Sequence, residues 1–194
     1  PTWLRMPMPT MLTLQILASP STSWAPSSGT TFVLRNSTER AKSPLQKALD
    51  IDPSNADANA ALAMVFQIEM EPELAEKYYR RALSESDEPT RIQNNYGSFL
   101  FEQQRYPEAL EYFQKAAANT MYSGRSRVFE NLGLTALKLN QRPQAKTYFQ
   151  KALRLDPTQS RSLLEIAIIA YEDKEYVPSR EYYTRFKKDG EQNA

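Results

Sequence analysis

The sequence predicts an all-α protein made of stacked antiparallel helix pairs, and three observations predict it. The first is register. Ala48, Ala82, Ala116 and Ala152 are spaced 34, 34 and 36 residues apart, and Leu45, Tyr79, Phe113, Phe149 and Tyr183 follow at 34, 34, 36 and 34. The second is that apolar residues inside each period recur at helical spacing, as Phe129, Leu132, Gly133 and Ala136 do, followed by Ala145, Tyr148, Phe149 and Ala152. The third is punctuation by proline: Pro72 and Pro143 stand where a second helix opens, and Pro53 and Pro157 where one closes. A lone helix pair cannot cover both of its apolar sides, so the copies must stack.

Taken in order, residues 1–38 differ from all that follows. They hold no acidic residue, only Arg5 and Arg35 as charges, and Pro1, Pro7, Pro9, Pro20 and Pro26 interrupt any helical pattern. The apolar run Met11–Ala18 has the length of a signal-peptide core, but Thr13 and Gln15 dilute it and no cysteine follows. The stretch reads either as an irregular Ser/Thr/Pro segment or as residues foreign to the natural protein, such as a stretch read in a shifted frame. Repeat sequence resumes abruptly at Arg35–Thr38, and the repeat domain is expected over residues 39–194. A degenerate first hairpin runs to about residue 55, with Gly29 and Phe32 fitting its first helix. Pro44 either kinks the second helix of that hairpin or begins it behind Ser43.

Four fuller repeats are expected at 56–89, 90–123, 126–159 and 160–193. Ala41, Ala75, Ala109, Ala145 and Ser179 give the small position of each second helix, and Gly29, Ala63, Gly97, Gly133 and Ala167 that of each first helix. Tyr96, Leu132 and Ile166 are the large residues before the latter. Gly133 is expected to face Ala145 or Ala152, so that the pair packs closely. The register slips by two residues at Met121–Arg125, which predicts a longer loop there.

Composition excludes several chemistries. Against 24 basic residues stand 23 acidic ones, too even a balance to gather nucleic acid or an anionic membrane. Cysteine and histidine are both absent, which removes disulfides, thiolate nucleophiles, imidazole bases and the usual zinc ligands. No phosphate-cradling glycine loop, nucleophile motif or metalloprotease helix occurs, so neither an enzyme nor a cofactor is expected. The acidic cluster Glu69, Glu71, Glu73 and Glu76 surrounds no calcium-type loop and suits the start of a helix at Pro72.

These repeats resemble the tetratricopeptide repeat, which implies a right-handed superhelix. Asp87, Met121 and Glu191 replace the closing proline, and the tryptophan usual early in the first helix is absent from the repeats. Such an array curves and leaves a groove lined by its first helices. The residues expected to face it are Asp57, Ala60, Met64 and Gln67; Arg91, Asn94, Ser98 and Phe101; Arg127, Glu130, Leu134 and Leu137; and Arg161, Leu164, Ile168 and Tyr171. Arg91, Arg127 and Arg161 thus form a row beside an apolar strip, which suits a peptide with acidic and apolar side chains. The alternative is that the arginines pair with Glu130 and other carboxylates while the apolar residues are core. A clamp for a terminal carboxylate fits poorly, because Ala60 and Met64 stand where lysine and asparagine would be needed, although Asn94, Asn95 and Asn131 are nearby.

The runs NADANAALAMVFQIEMEPELAEKYYRRAL and NNYGSFLFEQQRYPEAL, with SRVFENLGL and YVPSREYY, resemble the type IV pilus biogenesis and stability proteins, the PilF/PilW family. That resemblance implies a bacterial outer-membrane lipoprotein facing the periplasm, a pilotin that binds subunits of the pilus secretin and promotes their localisation and multimerisation. It implies also that the lipidated cysteine lies upstream of Pro1, that the family continues into another repeat beyond Ala194, and that this stretch is by itself soluble and monomeric. The alternative function is a general tetratricopeptide scaffold or co-chaperone binding a peptide of another partner.

Overall fold

The computed structural model describes residues 28–192, with side chains from 38 to 188. Among the described residues nine α-helices follow one another with no strand: α1 (Ser28–Ile51), α2 (Ala56–Ile68), α3 (Pro72–Glu85), α4 (Thr90–Glu102), α5 (Tyr106–Ala118), α6 (Arg125–Lys138), α7 (Arg142–Leu155), α8 (Ser160–Glu172) and α9 (Tyr176–Gln192). Helices α2–α3, α4–α5, α6–α7 and α8–α9 are antiparallel pairs, and each pair packs on the next. They build a right-handed solenoid. The first helices of neighbouring pairs also touch directly, α2 on α4 and α4 on α6, so they line the inside of the curve.

The two middle pairs are each held by a glycine on the first helix set against an aromatic ring on the second. A Cβ at Gly97 would lie 2.8 Å from Cε1 of Phe113, and one at Gly133 only 2.6 Å from Cε1 of Phe149. Gly133 therefore faces Phe149 rather than the expected Ala145 or Ala152. The ring fills the space that the missing side chain leaves, and the two alanines are buried elsewhere along the same helix. Tyr79, Tyr96 and Phe99 carry the core across the boundary between α3 and α4, with ring centroids 5.5 to 5.9 Å apart.

The turn inside every pair is the same. Met70, Gln104, Asn140 and Lys174 have positive φ, between 58° and 64°. In each turn the following residue donates back to the carbonyl five positions earlier, as Glu71 does to Phe66 at 2.9 Å and Glu175 to Ala170 at 2.8 Å. This Schellman closure satisfies the last carbonyls of the first helix and reverses the chain in three residues. Between pairs the links are Ser86–Pro89 and Asp156–Gln159, but Asn119–Gly124 joins α5 to α6 and is longer by two residues. Asn119 organises that link by donating to Thr90 Oγ1 at 2.9 Å and accepting from the Met121 N–H at 3.0 Å.

The expected degenerate hairpin is replaced by one helix. Residues 28–51 run through without a turn, and Pro44 lies inside α1 on its exposed side, where the backbone carbonyl it leaves unserved can meet water. Residues 28–38, read from the sequence as irregular, belong to this helix; that stretch contains no proline. Residues 1–27 lie outside those described. The end of α1 takes the place of a preceding second helix: Leu45, Ala48 and Leu49 pack on Ala58, Leu62, Phe66 and Tyr78, and Lys42 pairs with Glu69 at 2.6 Å.

A groove along the first helices

Positions that are equivalent in sequence lie side by side on consecutive first helices. Arg91 on α4 pairs with Asp57, the matching residue of α2. Arg127 and Arg161 hold the same place on α6 and α8, so the arginines stand in successive first turns along one rim. They do not behave alike. Arg161 binds Glu165 on its own helix at 2.8 Å, whereas Arg127 is exposed and meets no carboxylate at ion-pair distance among the described residues.

The position three residues later is a seam rather than a lining. Ala60 is fully buried, Asn94 is only 9% exposed and Leu164 is buried, because here the first helices press against each other. Asn94 therefore belongs to the contact between α4 and α6, where its Oδ1 accepts from Asn131 Nδ2 at 3.2 Å. Glu130 is half-buried at the next seam and accepts from Ser162 Oγ at 2.9 Å. Burial raises the pKa of Glu130 against the pull of the Ser162 hydrogen bonds and of Arg161 and Arg127. Burial likewise raises Glu165, and the Glu130 charge adds to the effect.

The next two positions line the groove. Met64 is exposed, while Phe101, Leu134, Ile168 and Tyr171 are half-buried. Phe101 packs edge-on to Tyr106 at 5.3 Å and Tyr171 edge-on to Tyr176 at 5.7 Å, so both rings are braced by the following helix. Between α4 and α6 the lining deepens into a cleft of about 220 Å³ bounded by Ser98, Phe101, Glu102, Phe113, Asn131 and Leu134. Of these, Ser98, Phe101 and Leu134 are groove positions expected from the sequence and Asn131 is a neighbour of such positions, while Glu102 and Phe113 are not expected there. Phe113 was read as core, which it is, and it also floors the cleft. Glu102 and Asn131 each lie one residue past an expected position, and a helical face is wide enough to include such neighbours.

The acidic cluster is dispersed. Glu69 faces Lys42, and Glu76 holds Arg105 at 2.7 Å and Arg80 at 2.7 Å while accepting from Tyr96 OH at 2.9 Å. These donors, Arg105 first, hold the Glu76 carboxyl down to about 2.

Tetratricopeptide repeat models match residues 88–158 and 131–194. The chain is 53% identical to the type IV pilus assembly protein PilF of Pseudomonas aeruginosa over 166 residues, 86% of this chain and 66% of PilF. A solved structure of Pseudomonas aeruginosa PilF superposes with a TM-score of 0.78 at 52% identity, covering 81% of this chain and 71% of that one. The chain belongs to the PilF/PilW family of tetratricopeptide-repeat proteins. The crystal structure of PilW, a type IV pilus biogenesis factor, matches with a TM-score of 0.73 at 25% identity over 82% of this chain and 73% of that one. MamA, at 18% identity and a TM-score of 0.71, over 86% of this chain and 96% of its own, shares the fold alone. The chain spans about two thirds of the length of PilF, at 66%. No described helix is long and apolar enough to cross a membrane.

Proposed function

We propose that the chain is a non-enzymatic binding scaffold of type IV pilus biogenesis, and that it acts as a pilotin. Its groove holds a segment of a secretin subunit, and in the natural protein an N-terminal lipid at the periplasmic face of the outer membrane brings that subunit to its site of multimerisation. The observation that carries the binding part is the inner face of α4 and α6. It offers Arg127, an exposed arginine with no carboxylate at ion-pair distance among the described residues, one turn before Asn131 of a cleft walled by Phe101 and Leu134. A half-buried apolar strip next to an unmatched cation fits a segment carrying both apolar and acidic side chains. The specific assignment to pilus secretin rests on the likeness to PilF and PilW.

Co-expression with secretin subunits tests it. Secretin should co-purify with the chain, and simultaneous replacement of Arg91, Arg127 and Arg161 by alanine should sharply reduce the amount recovered while helicity stays unchanged. Equal recovery with the triple variant would remove the groove from the account, and no recovery with the unaltered chain would remove the secretin.

A further inference from the structure

The cleft between α4 and α6 differs in chemistry from the arginine rim. Its floor and walls are Phe113, Phe101 and Leu134, and its polar atoms are those of Glu102, Asn131 and Ser98. Glu102 is exposed and accepts one hydrogen bond, from Gln67 Nε2 at 2.6 Å, but no lysine or arginine pairs with it among the described residues. Asn131 spends an amide hydrogen on Asn94, and its Oδ1 accepts no hydrogen bond among the described residues. Ser98 donates its hydrogen to the Asn94 carbonyl at 3.1 Å, so toward the cleft its oxygen can only accept. The polar edge is therefore rich in acceptors and carries a net negative charge.

Size narrows the occupant. About 220 Å³ corresponds to roughly seven waters at ~30 Å³ each, below the ~300–1,000 Å³ of ordinary small-molecule sites. One long side chain fits. The location adds a polarity: Arg91 opens α4 and Glu102 ends it eleven positions later, about 16 Å along the axis. Helix dipoles reinforce both ends, positive at the arginine rim and negative at the Glu102 rim.

We propose that this cleft is a subsite for one basic side chain, lysine or arginine, of the protein segment held in the groove. The aliphatic stem lies on Phe101, Phe113 and Leu134, and the cationic head meets the Glu102 carboxylate and the Asn131 and Ser98 oxygens. Both candidate heads are donor-only, which matches a site offering acceptors. The inference rests on the groove being the binding face. It adds that the bound segment is bipolar, with its acidic residue toward Arg127 and its basic residue toward Glu102.

The test uses the full chain with methyl and side-chain amide labels, titrated by NMR with N-acetyl-arginine amide, N-acetyl-lysine amide and the uncharged N-acetyl-norleucine amide. The basic probes should shift the Leu134 methyl and Asn131 amide signals and bind about five- to tenfold more tightly than the norleucine probe, as a charge-assisted contact would give. Glu102→Gln should bring the three probes together, and high salt should narrow the gap for the unaltered chain without any substitution. Equal binding of all three probes, no shift at Leu134 from any of them, or an undiminished preference in E102Q would overturn the proposal. The partner reading fails separately. If secretin is retained equally by the chain and by E102Q, the groove stands and the basic subsite falls; if basic probes select Glu102 but secretin never binds, the subsite stands and the secretin falls.

Discussion

Two boundaries between repeats treat buried charge in opposite ways. On the side of the second helices, Glu76 of α3 is surrounded by Arg105, Arg80 and the Tyr96 hydroxyl, and its carboxyl is held far below the ordinary range. On the groove side, Glu130 of α6 and Glu165 of α8 are pressed into the seam with fewer donors, and burial raises both. The first boundary fastens one repeat to the next. The second keeps charge where desolvation opposes it, which is a weak way to hold a fold together and fits a face whose polar groups have another task.

The largest effect should come from cutting the fastened boundary. Arg105→Ala removes two contacts to Glu76 and Glu108 and leaves Glu76 half-satisfied, so it should lower stability in urea by about 2 kcal/mol. Arg161→Ala takes the guanidinium from the buried Glu165 carboxylate, a loss that proton uptake by the already raised Glu165 limits, so it should cost less, about 1 kcal/mol. Equal losses would erase the contrast.

Relief of backbone strain comes next. Lys174 has φ of 64° with a full side chain, and Lys174→Gly should raise stability by about 1 kcal/mol. Asn140→Gly should gain only a few tenths of that, because asparagine already tolerates this conformation. Thermal unfolding of the two variants compares them directly.

Smaller still is the effect of removing the groove-side charge. Glu165→Gln keeps an acceptor for Arg161 and discards a charge that burial disfavours, so at neutral pH it should be neutral or stabilising by up to about 1 kcal/mol. Acid separates the two boundaries by sign. Glu165 and Glu130 have raised folded pKa values, so their contribution is most favourable below the ordinary carboxylate pKa and declines as pH rises through the raised one. Glu76 has a depressed value, so its contribution is full above the ordinary 4.5 and fades as pH falls towards about 2. Stability curves of E165Q and the unaltered chain should therefore converge on mild acidification, and those of Glu76→Gln and the unaltered chain only in stronger acid.

What was legible in the sequence was what repeats. The 34-residue register located the core because Tyr79, Phe113 and Phe149 must each occupy the same slot, and the two-residue slip located the longer link before α6. The shared turn was invisible for the opposite reason: Met70, Gln104, Asn140 and Lys174 adopt one backbone shape, yet no two are the same residue and none is the glycine that usually marks it. Proline alone leaves Pro44 open between a kink within a helix and the start of one, and the structure puts it inside α1, where an exposed proline can sit. For the groove, helical spacing picked out Ser98, Phe101 and Leu134, which wall the cleft. That Asn94 would be consumed in the seam was not legible, since it depends on how closely α4 and α6 approach. The cleft was illegible because Phe113, Glu102 and Asn131 come from three helices and meet only after folding.

The central claim is that a client segment lies on the inner face of α4 and α6. The direct measurement is the affinity of purified secretin subunits for the chain carrying Arg127→Ala and Leu134→Ala together, with helicity monitored alongside. The account predicts binding weakened at least about tenfold, or ~1.4 kcal/mol, with the helical signal intact. Unchanged affinity in that doubly substituted chain would contradict it.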